Sequence, residues 1–189
     1  VNIGKVAAPA DLALTSAGAT DGVIIDSNKT FGGAYAGVVY GFTQLSNTTF
    51  RNSDYLDDSL TATNNGTLSY TVSTTGSGYG TTATVEVLNS DGSSTGKVYV
   101  IVIFGDVNKD GRINTNDTKA CKAAVDDDTL APDNSVVRMA ANCQNAGSAK
   151  NMHNLNVNDT KAIKGHVDGT ELSQSALATK HNTYNDFYQ

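Results

Sequence analysis

The most informative segment of the chain is a run of twelve residues in which oxygen-bearing side chains recur at fixed places. Gly111 stands at the sixth place, where a chain that wraps an ion must turn sharply. Calcium takes about six to eight oxygen ligands, and the backbone carbonyl of Arg112 at the seventh place adds one. The run is therefore predicted to be a calcium-binding loop. It reads DVNKDGRINTND (residues 106–117), and its ligand side chains are Asp106, Asn108, Asp110, Asn114 and Asp117.

Two further places of this loop bear on the prediction. Ile113 at the eighth place is apolar, and we expect it to anchor the loop to a hydrophobic core. The last ligand is Asp117, where calcium-sensor loops carry Glu, so this shorter side chain must come closer to bind the ion through both oxygens. The alternative is a surface turn, rich in Asn, Asp and Gly, that matches the pattern by chance.

The segment that follows the loop is repeated later in the chain. Residues 114–126 read NTNDTKACKAAVD and residues 156–168 read NVNDTKAIKGHVD, with a constant offset of 42 between matching residues. This self-similarity indicates an internal duplication in which each loop leads into a helix. One face of each predicted helix is apolar, and the two apolar faces are expected to pack against each other. They consist of Ala120, Cys121, Ala124 and Val125, and of Ala162, Ile163, His166 and Val167.

The second copy departs from the calcium pattern before its helix. Counting back from Asp159 puts a lysine and a methionine at ligand places, and neither side chain binds calcium. Counting forward puts Asn142 and Gln144 at the first and third places, but an insertion then separates them from the helix. A site formed by Asn142, Gln144 or Asn145 and Asp159 would contain one carboxylate. We therefore expect the second ion to be weakly bound or absent.

The chain has two cysteines, Cys121 and Cys143. If the protein is secreted they can form one disulfide, and the alternative is two buried thiols. The insertion, residues 145–153, either contacts a partner or is held in place by that disulfide. A metal site at the cysteines is not expected, because no histidine stands at ligand spacing beside them.

The bulk composition narrows the class of protein. The chain has 189 residues, a net charge of −6, 17% charged residues and no Trp. The negative charge argues against nucleic acid or an anionic membrane as the main partner. No apolar run approaches the length of a membrane span, and the abundance of Thr, Ser, Asn and Gly suits an extracellular protein with turn-rich β structure.

Two patterns meet at Gly105. Before it, apolar segments separated by turns predict an all-β, immunoglobulin-like sandwich over residues 1–104. After it, helical periodicity predicts a small all-α domain over residues 105–189. The last strand is apolar on both faces, so we expect it to be covered on both sides in the middle of the domain, and its direct continuation into the loop predicts a fixed relation between the domains. Strands are expected at residues 22–26, 35–42, 67–72, 81–88 and 97–104, and short helices at 52–60 and 132–141.

A repeated calcium loop and helix, with Asp at the twelfth place and almost no entering helix, resembles the dockerin modules of bacterial cellulosomes. The segment GDVNKDGRINTNDTKA carries this resemblance, and the two repeats span about residues 106–128 and 142–170. The preceding β domain is similar, in pattern and position, to the X modules that precede some dockerins. The resemblance implies EF-hand-like calcium sites, the first formed by Asp106, Asn108, Asp110, the Arg112 carbonyl, Asn114 and Asp117.

The resemblance also implies a function. Dockerins are non-catalytic modules that bind, in a calcium-dependent way, a cohesin domain of a scaffoldin or cell-surface anchoring protein within extracellular assemblies for polysaccharide degradation. This protein is then expected to be secreted, associated with a bacterial cell surface, monomeric when free and supported by its X module. Because the two copies differ, we expect one preferred orientation of binding. The partner-binding places correspond to Thr115, Asn116, Lys119, Lys122 and Ala123, and to Val157, Asn158, Lys161, Lys164 and Gly165.

Other interpretations remain open at this stage. The lysines of the two helices form either a partner surface or a solvated face. A calcium-stabilised carbohydrate-binding or adhesive fragment would work through the β domain, whose tyrosines offer stacking surfaces, although the absence of Trp counts against it. A catalytic function ranks third, because no nucleophile motif or phosphate-binding loop is present. The tyrosines are Tyr35, Tyr40, Tyr55, Tyr70 and Tyr79.

Overall fold

The computed structural model describes residues 8–43, 49–76, 78–144, 154–183 and 188. Within them the chain forms seven strands and six α-helices, together with two short 3-10 helices at Thr49–Arg51 and Asp128–Leu130. The strands are β1 (Leu12–Leu14), β2 (Ile24–Asp26), β3 (Gly37–Tyr40), β4 (Leu60–Ala62), β5 (Thr67–Thr71), β6 (Thr84–Leu88) and β7 (Ser94–Ile101). The helices are α1 (Ser16–Asp21), α2 (Asp54–Ser59), α3 (Thr115–Asp126), α4 (Val136–Ala141), α5 (Val157–Val167) and α6 (Gln174–Thr183).

The main sheet has five strands in the order β2-β3-β7-β6-β5. These are the five strands predicted from the sequence, and the prediction that the last one lies in the middle is confirmed. Strand β7 pairs antiparallel with β6 and parallel with β3, where Val38 lies opposite Val100. Val100 and Ile101 are fully buried, as expected for a central strand that is covered on both faces.

The predicted fold class, an all-β sandwich followed by an all-α domain, is wrong, because the structure is mixed α/β. Helices α1 and α2 lie among the strands of the N-terminal half. Within the described residues the only other sheet is the two-stranded β1–β4 ribbon, which is too small to be the second layer of a sandwich. Helix α1 was missed because its six residues are too few for a helical period to emerge from the sequence, and the short helix predicted at residues 52–60 was placed within an all-β domain.

Helix α2 was predicted from local sequence signals, but these signals do not account for its stability. It falls inside the segment 52–60 that was predicted to be helical, and Ser53 is its N-cap as expected. The Ser53 side chain, however, makes no capping hydrogen bond. The helix is stabilised instead by packing, since Tyr55 and Leu56 are buried in the core.

The C-terminal half packs around the end of the sheet. Helices α3 and α5 contact each other, as the duplicated apolar faces predicted, with Cys121 and Ile163 fully buried. Helix α6 then folds back toward β7. The Gln174 side chain accepts a hydrogen bond from the Phe104 N–H (3.1 Å) and donates one to the Phe104 carbonyl (2.7 Å), and the His181 ring stacks on the Phe104 ring at 4.7 Å.

A continuous set of buried residues joins the two halves of the described chain. The buried core continues across the predicted domain boundary between residues 104 and 105. The boundary itself stays a prediction. No helix of the described residues has the length and apolar character that crossing a membrane requires.

Candidate metal centre

The first loop is closed by the residue at its twelfth place. Asp117 accepts hydrogen bonds through Oδ1 from the N–H groups of Val107 (2.9 Å) and Asn108 (3.1 Å), and through Oδ2 from the Asn114 N–H (2.8 Å). The Asn114 side chain in turn accepts from the Asn116 N–H (2.8 Å). This is a capping box, which satisfies the free N–H groups at the start of α3 and ties the beginning of the loop to its end.

The first place of the loop is buried beneath the β half of the chain. Asp106 has no exposed surface, and its Oδ2 accepts a hydrogen bond from the Thr81 N–H at 2.8 Å. Its Oδ1 has no hydrogen-bond partner. Gly80 allows this close approach, because a Cβ there would collide with Asp106 Oδ2 and would lie 2.7 Å from the Gly111 Cα. One buried carboxyl oxygen therefore lacks a hydrogen-bond partner within the described residues.

The middle of the loop turns as a calcium loop does. Lys109 and Gly111 have left-handed backbone conformations (φ 64° and 75°), and Gly111 is at the place where the turn was predicted. Asn108 donates through Nδ2 to Asp110 Oδ2 (2.9 Å), and Asp110 accepts from the Arg112 N–H through Oδ1 (3.0 Å). Ile113 is buried, so its role as the anchor of the loop is confirmed.

The carboxylates of the loop are electrostatically unfavourable without a cation. Burial and, to a lesser extent, the neighbouring charges of Asp117 and Asp110 raise the pKa of Asp106 to about 8, although hydrogen bonds from the N–H groups of Thr81 and Gly111 oppose the rise. Burial likewise raises the pKa of Asp117 to about 6, against the N–H bonds that it accepts. Ionisation of these carboxyl groups is thus unfavourable in a poorly solvated place, and a bound cation would favour it.

The ligand set of the first loop fits calcium in its chemistry. Within the described residues, no three carboxylate, imidazole or thiol side chains are gathered as metal ligands. The three carboxylates of the predicted set, Asp106, Asp110 and Asp117, are therefore not gathered as one metal-binding group in this structure. The rest of the set are amide and carbonyl oxygens, which calcium accepts and transition metals bind less readily. Both oxygens of Asp117 are engaged with backbone N–H groups, so direct ligation would require this side chain to exchange some of these bonds. The unpartnered Oδ1 of Asp106 is the atom that points most directly to a cation.

Sequence reasoning missed the residues of the β half that hold this loop. The side chains of Ser73 and Thr75 both donate to the Lys109 carbonyl, the former at 2.7 Å, and Thr81 donates to Asp106. They lie in the segment between β5 and β6, which is rich in Gly, Ser and Thr; its middle was interpreted as a turn, and Thr81 as the first residue of a strand. Its composition was the available signal, because loops that carry function often join rigid strands.

The second loop repeats the first at its helix end. Asp159 accepts hydrogen bonds from the Gln144 N–H through Oδ1 (2.8 Å) and from the Asn156 N–H through Oδ2 (3.0 Å), and these residues correspond to Asn108 and Asn114. The counting that put Asn142 and Gln144 at the first and third places therefore matches the structure. Asn142 is buried and carries no charge. Asn145 and the insertion 145–153 lie outside the described residues.

The two cysteines are buried free thiols in the structure, so the Cys121–Cys143 disulfide is not formed there and the alternative of two buried thiols is observed. The Cys143 thiol donates to the Ala140 carbonyl at 3.1 Å, and the Cys121 sulfur accepts from the Thr160 hydroxyl at 3.5 Å. Burial raises the pKa of both thiols, so that both remain protonated and unreactive near neutral pH.

The predicted partner surface lies on the outer sides of α3 and α5, and we call it the docking face. Ala123 and Gly165 are half-buried and its other members are exposed. Lys122 pairs with Asp126 at 2.5 Å, and Lys164 forms the matching ion pair with Asp168. The two copies therefore present the same charged pattern. The docking face comprises Thr115, Asn116, Lys119, Lys122, Ala123, Val157, Asn158, Lys161, Lys164 and Gly165.

Comparisons with protein-family models, with curated proteins and with solved structures each gave no match. The candidate site is thus interpreted from its own residues.

Proposed function

We propose that this chain is a non-catalytic, calcium-dependent protein-binding module that docks onto a cohesin domain. The observation that supports this proposal most directly is that Oδ1 of Asp106 is buried and has no hydrogen-bond partner. Asp106 stands at the first place of a twelve-residue loop, and this loop leads directly into α3, one of the two helices of the repeat. Buried polar atoms in proteins are nearly always satisfied. A calcium ion would satisfy this one and set the start of α3.

The residues proposed to hold the ion are Asp106, Asn108, Asp110, Asn114 and Asp117, with the carbonyl of Arg112. When bound, calcium supplies positive charge to the place where the chain concentrates carboxylates. The residues themselves then position the helix, because the capping box of Asn114 and Asp117 joins the loop to α3. Calcium binding and the orientation of α3 are coupled through this shared residue, Asp117.

The docking face suits a protein partner. Its two halves lie on adjacent helices that pack against each other, and its lysines extend from the exposed sides. Exposed charges of this kind contribute mainly to the rate and specificity of association. Val157 is 57% exposed at the start of α5, where the first copy has Thr115. This difference supports one preferred orientation of docking.

The β half is proposed to act as a support. Thr81 contacts Asp106, and Ser73 and Thr75 contact the Lys109 carbonyl, so the sheet holds both the first place and the turn of the loop. Rigid support lowers the entropy that is lost on binding and so permits higher affinity for a given contact area. This role is the one proposed for X modules.

The partner is proposed to be a cohesin domain of a scaffoldin or of a cell-surface anchoring protein, outside a bacterial cell, in an assembly that degrades polysaccharides. Calorimetry of the chain against a panel of cohesins, with calcium and with EDTA, tests the proposal. Binding to at least one cohesin in calcium, and its loss in EDTA, is expected. Failure to bind any cohesin of the panel in calcium, or undiminished affinity in EDTA, would contradict it.

Carbohydrate binding through the β half is less well supported. Tyr40 and Tyr55 are buried, and Tyr35, Tyr70 and Tyr79 are only partly exposed. The Tyr55 hydroxyl is used in a hydrogen bond to the Tyr79 carbonyl. None of the five rings offers a fully exposed stacking surface. A glycan array in the same calcium buffer separates the two functions, since binding there would favour the carbohydrate interpretation.

A further inference from the structure

Lys180, which is distant in sequence, contacts the second loop. Lys180 of α6 donates to Asn142 Oδ1 at 3.4 Å and to the backbone carbonyl of Gln144. Asn142 stands at the first place of the second loop, where Asp106 stands in the first loop, and Gln144 stands at the third. The ammonium group therefore contacts the side-chain oxygen at the first place of the loop and the backbone carbonyl at the third.

The charge of Lys180 also acts on the carboxylate of this loop. Burial raises the pKa of Asp159, and the Lys180 charge opposes that rise. Burial lowers the pKa of Lys180, and the Asp159 charge opposes that change in turn. Each group thus favours the charged form of the other, as a bound cation would favour an ionised ligand.

Helix α6 is firmly held in the position that delivers this lysine. Gln174 makes two hydrogen bonds to the backbone of Phe104, and His181 donates through Nε2 to the Asn142 carbonyl at 3.1 Å. His181 is fully buried, so the residue next to Lys180 is anchored in the core. The lysine reaches the loop from a rigid element rather than from a loose tail.

We propose that the ammonium group of Lys180 is the built-in cation of the second loop. It supplies the positive charge that a divalent ion would supply, and the neutral Asn142 matches this lower charge. The second copy then needs no metal to keep α5 in place. This assignment rests on the contacts of Lys180 alone. If the proposed calcium site of the first loop is correct, it further implies one calcium ion for the chain.

Replacing Lys180 by Met tests the assignment, because Met keeps much of the aliphatic stem and removes the charge. Lys161→Met on the exposed side of α5 is the matched control. With EDTA present, K180M should lower the Tm by about 3–8 °C, while K161M should change it by less than about 1 °C. Hydrogen exchange should quicken at Asn156–Asp159 in K180M only. Equal stability of the two variants would overturn the proposal.

A measurement on the unaltered chain covers the case in which K180M fails to fold. Competitive acetylation of native protein should modify Lys180 roughly tenfold more slowly than Lys161, and denaturation should remove the difference. Equal rates in the native state would overturn the proposal. Calcium titration separates this proposal from the previous one: two bound ions would overturn the Lys180 assignment, whereas none would overturn the calcium function and leave Lys180 unaffected.

Discussion

The two copies of the repeat begin their helices alike and differ at the other end of the loop. Asp117 and Asp159 accept the same backbone hydrogen bonds, and both helices start with a capping box. At the first place, however, the first copy has the buried carboxylate of Asp106 and the second has the neutral amide of Asn142. A helix start is thus specified by adjacent residues, whereas the need for a cation depends on a residue that precedes the N-cap by 8 places in the first copy and by 14 in the second.

The groups from the rest of the chain that contact the first place also differ between the two loops. Thr81 from the β half lies over Asp106 and leaves Oδ1 without a partner, while Lys180 from α6 reaches Asn142. One loop is therefore left with a buried carboxyl oxygen that has no hydrogen-bond partner, and the other contacts the positive charge of Lys180. Duplication produced two similar loop and helix units, and the rest of the chain distinguishes them.

The largest expected difference between the two loops is in their contribution to calcium affinity. Asp106→Ala removes a carboxylate from the proposed site, and calcium affinity should fall on the order of 100-fold. Asn142→Ala should leave it unchanged within about twofold, because the second loop is not proposed to bind the ion. Isothermal titration with calcium measures both. A comparable loss in the two variants would show that both loops contribute to ion binding.

Removal of calcium should affect the two copies unequally. In EDTA the Tm should fall by about 10 °C, because the ion binds only the folded loop. Amides of residues 106–117 should exchange at least about tenfold faster, while those of residues 156–167 change little. Hydrogen exchange followed by mass spectrometry gives both values. Equal acceleration in the two segments would contradict the difference drawn between the loops.

Variants of the docking face sharpen the comparison further. Lys122→Ala and Lys164→Ala together should weaken cohesin binding by about tenfold. The Tm should stay within about 1 °C, since exposed ion pairs with Asp126 and Asp168 contribute little to stability. With one preferred orientation, only one of the two single variants should account for the loss. Lys97→Ala on β7 is the control, and equal effects of the two single variants would indicate two orientations.

The smallest expected effect is a pH dependence at the anchor of α6. Burial lowers the pKa of His181 to about 3 from an ordinary value of 6.5. The unfolded chain therefore takes up a proton that the folded chain does not, so this contribution to stability declines as pH falls below about 6.5 and continues to decline toward 3. His181→Phe, which keeps a ring beside Phe104, should lose about 2–4 °C less in Tm than the unaltered chain between pH 7.5 and 5. Identical pH profiles would show that His181 does not titrate on unfolding as proposed.

Features that depend on near neighbours in the chain were predictable. The loop from Asp106 to Asp117 and the five strands of the main sheet follow from spacing and alternation, and the helices α3 and α5 follow from the repeat. The ribbon of β1 and β4 was missed, because strands of three residues show too little alternation. The all-β and all-α division failed in part for the same reason, since α1 is too short to show a helical period; the short helix α2 was predicted but was placed within an all-β domain.

The sequence by itself determined the twelve-place loop, the duplicated helix start at Asn114 and Asn156, and the different residues at the two first places. Only the tertiary structure decided what covers each loop. Thr81 is 25 residues from Asp106, and Lys180 is 38 residues from Asn142. Contacts over such separations depend on how the sheet and α6 pack. Residues that come together by packing need not follow any periodic pattern in the sequence, so these contacts could not be predicted from it.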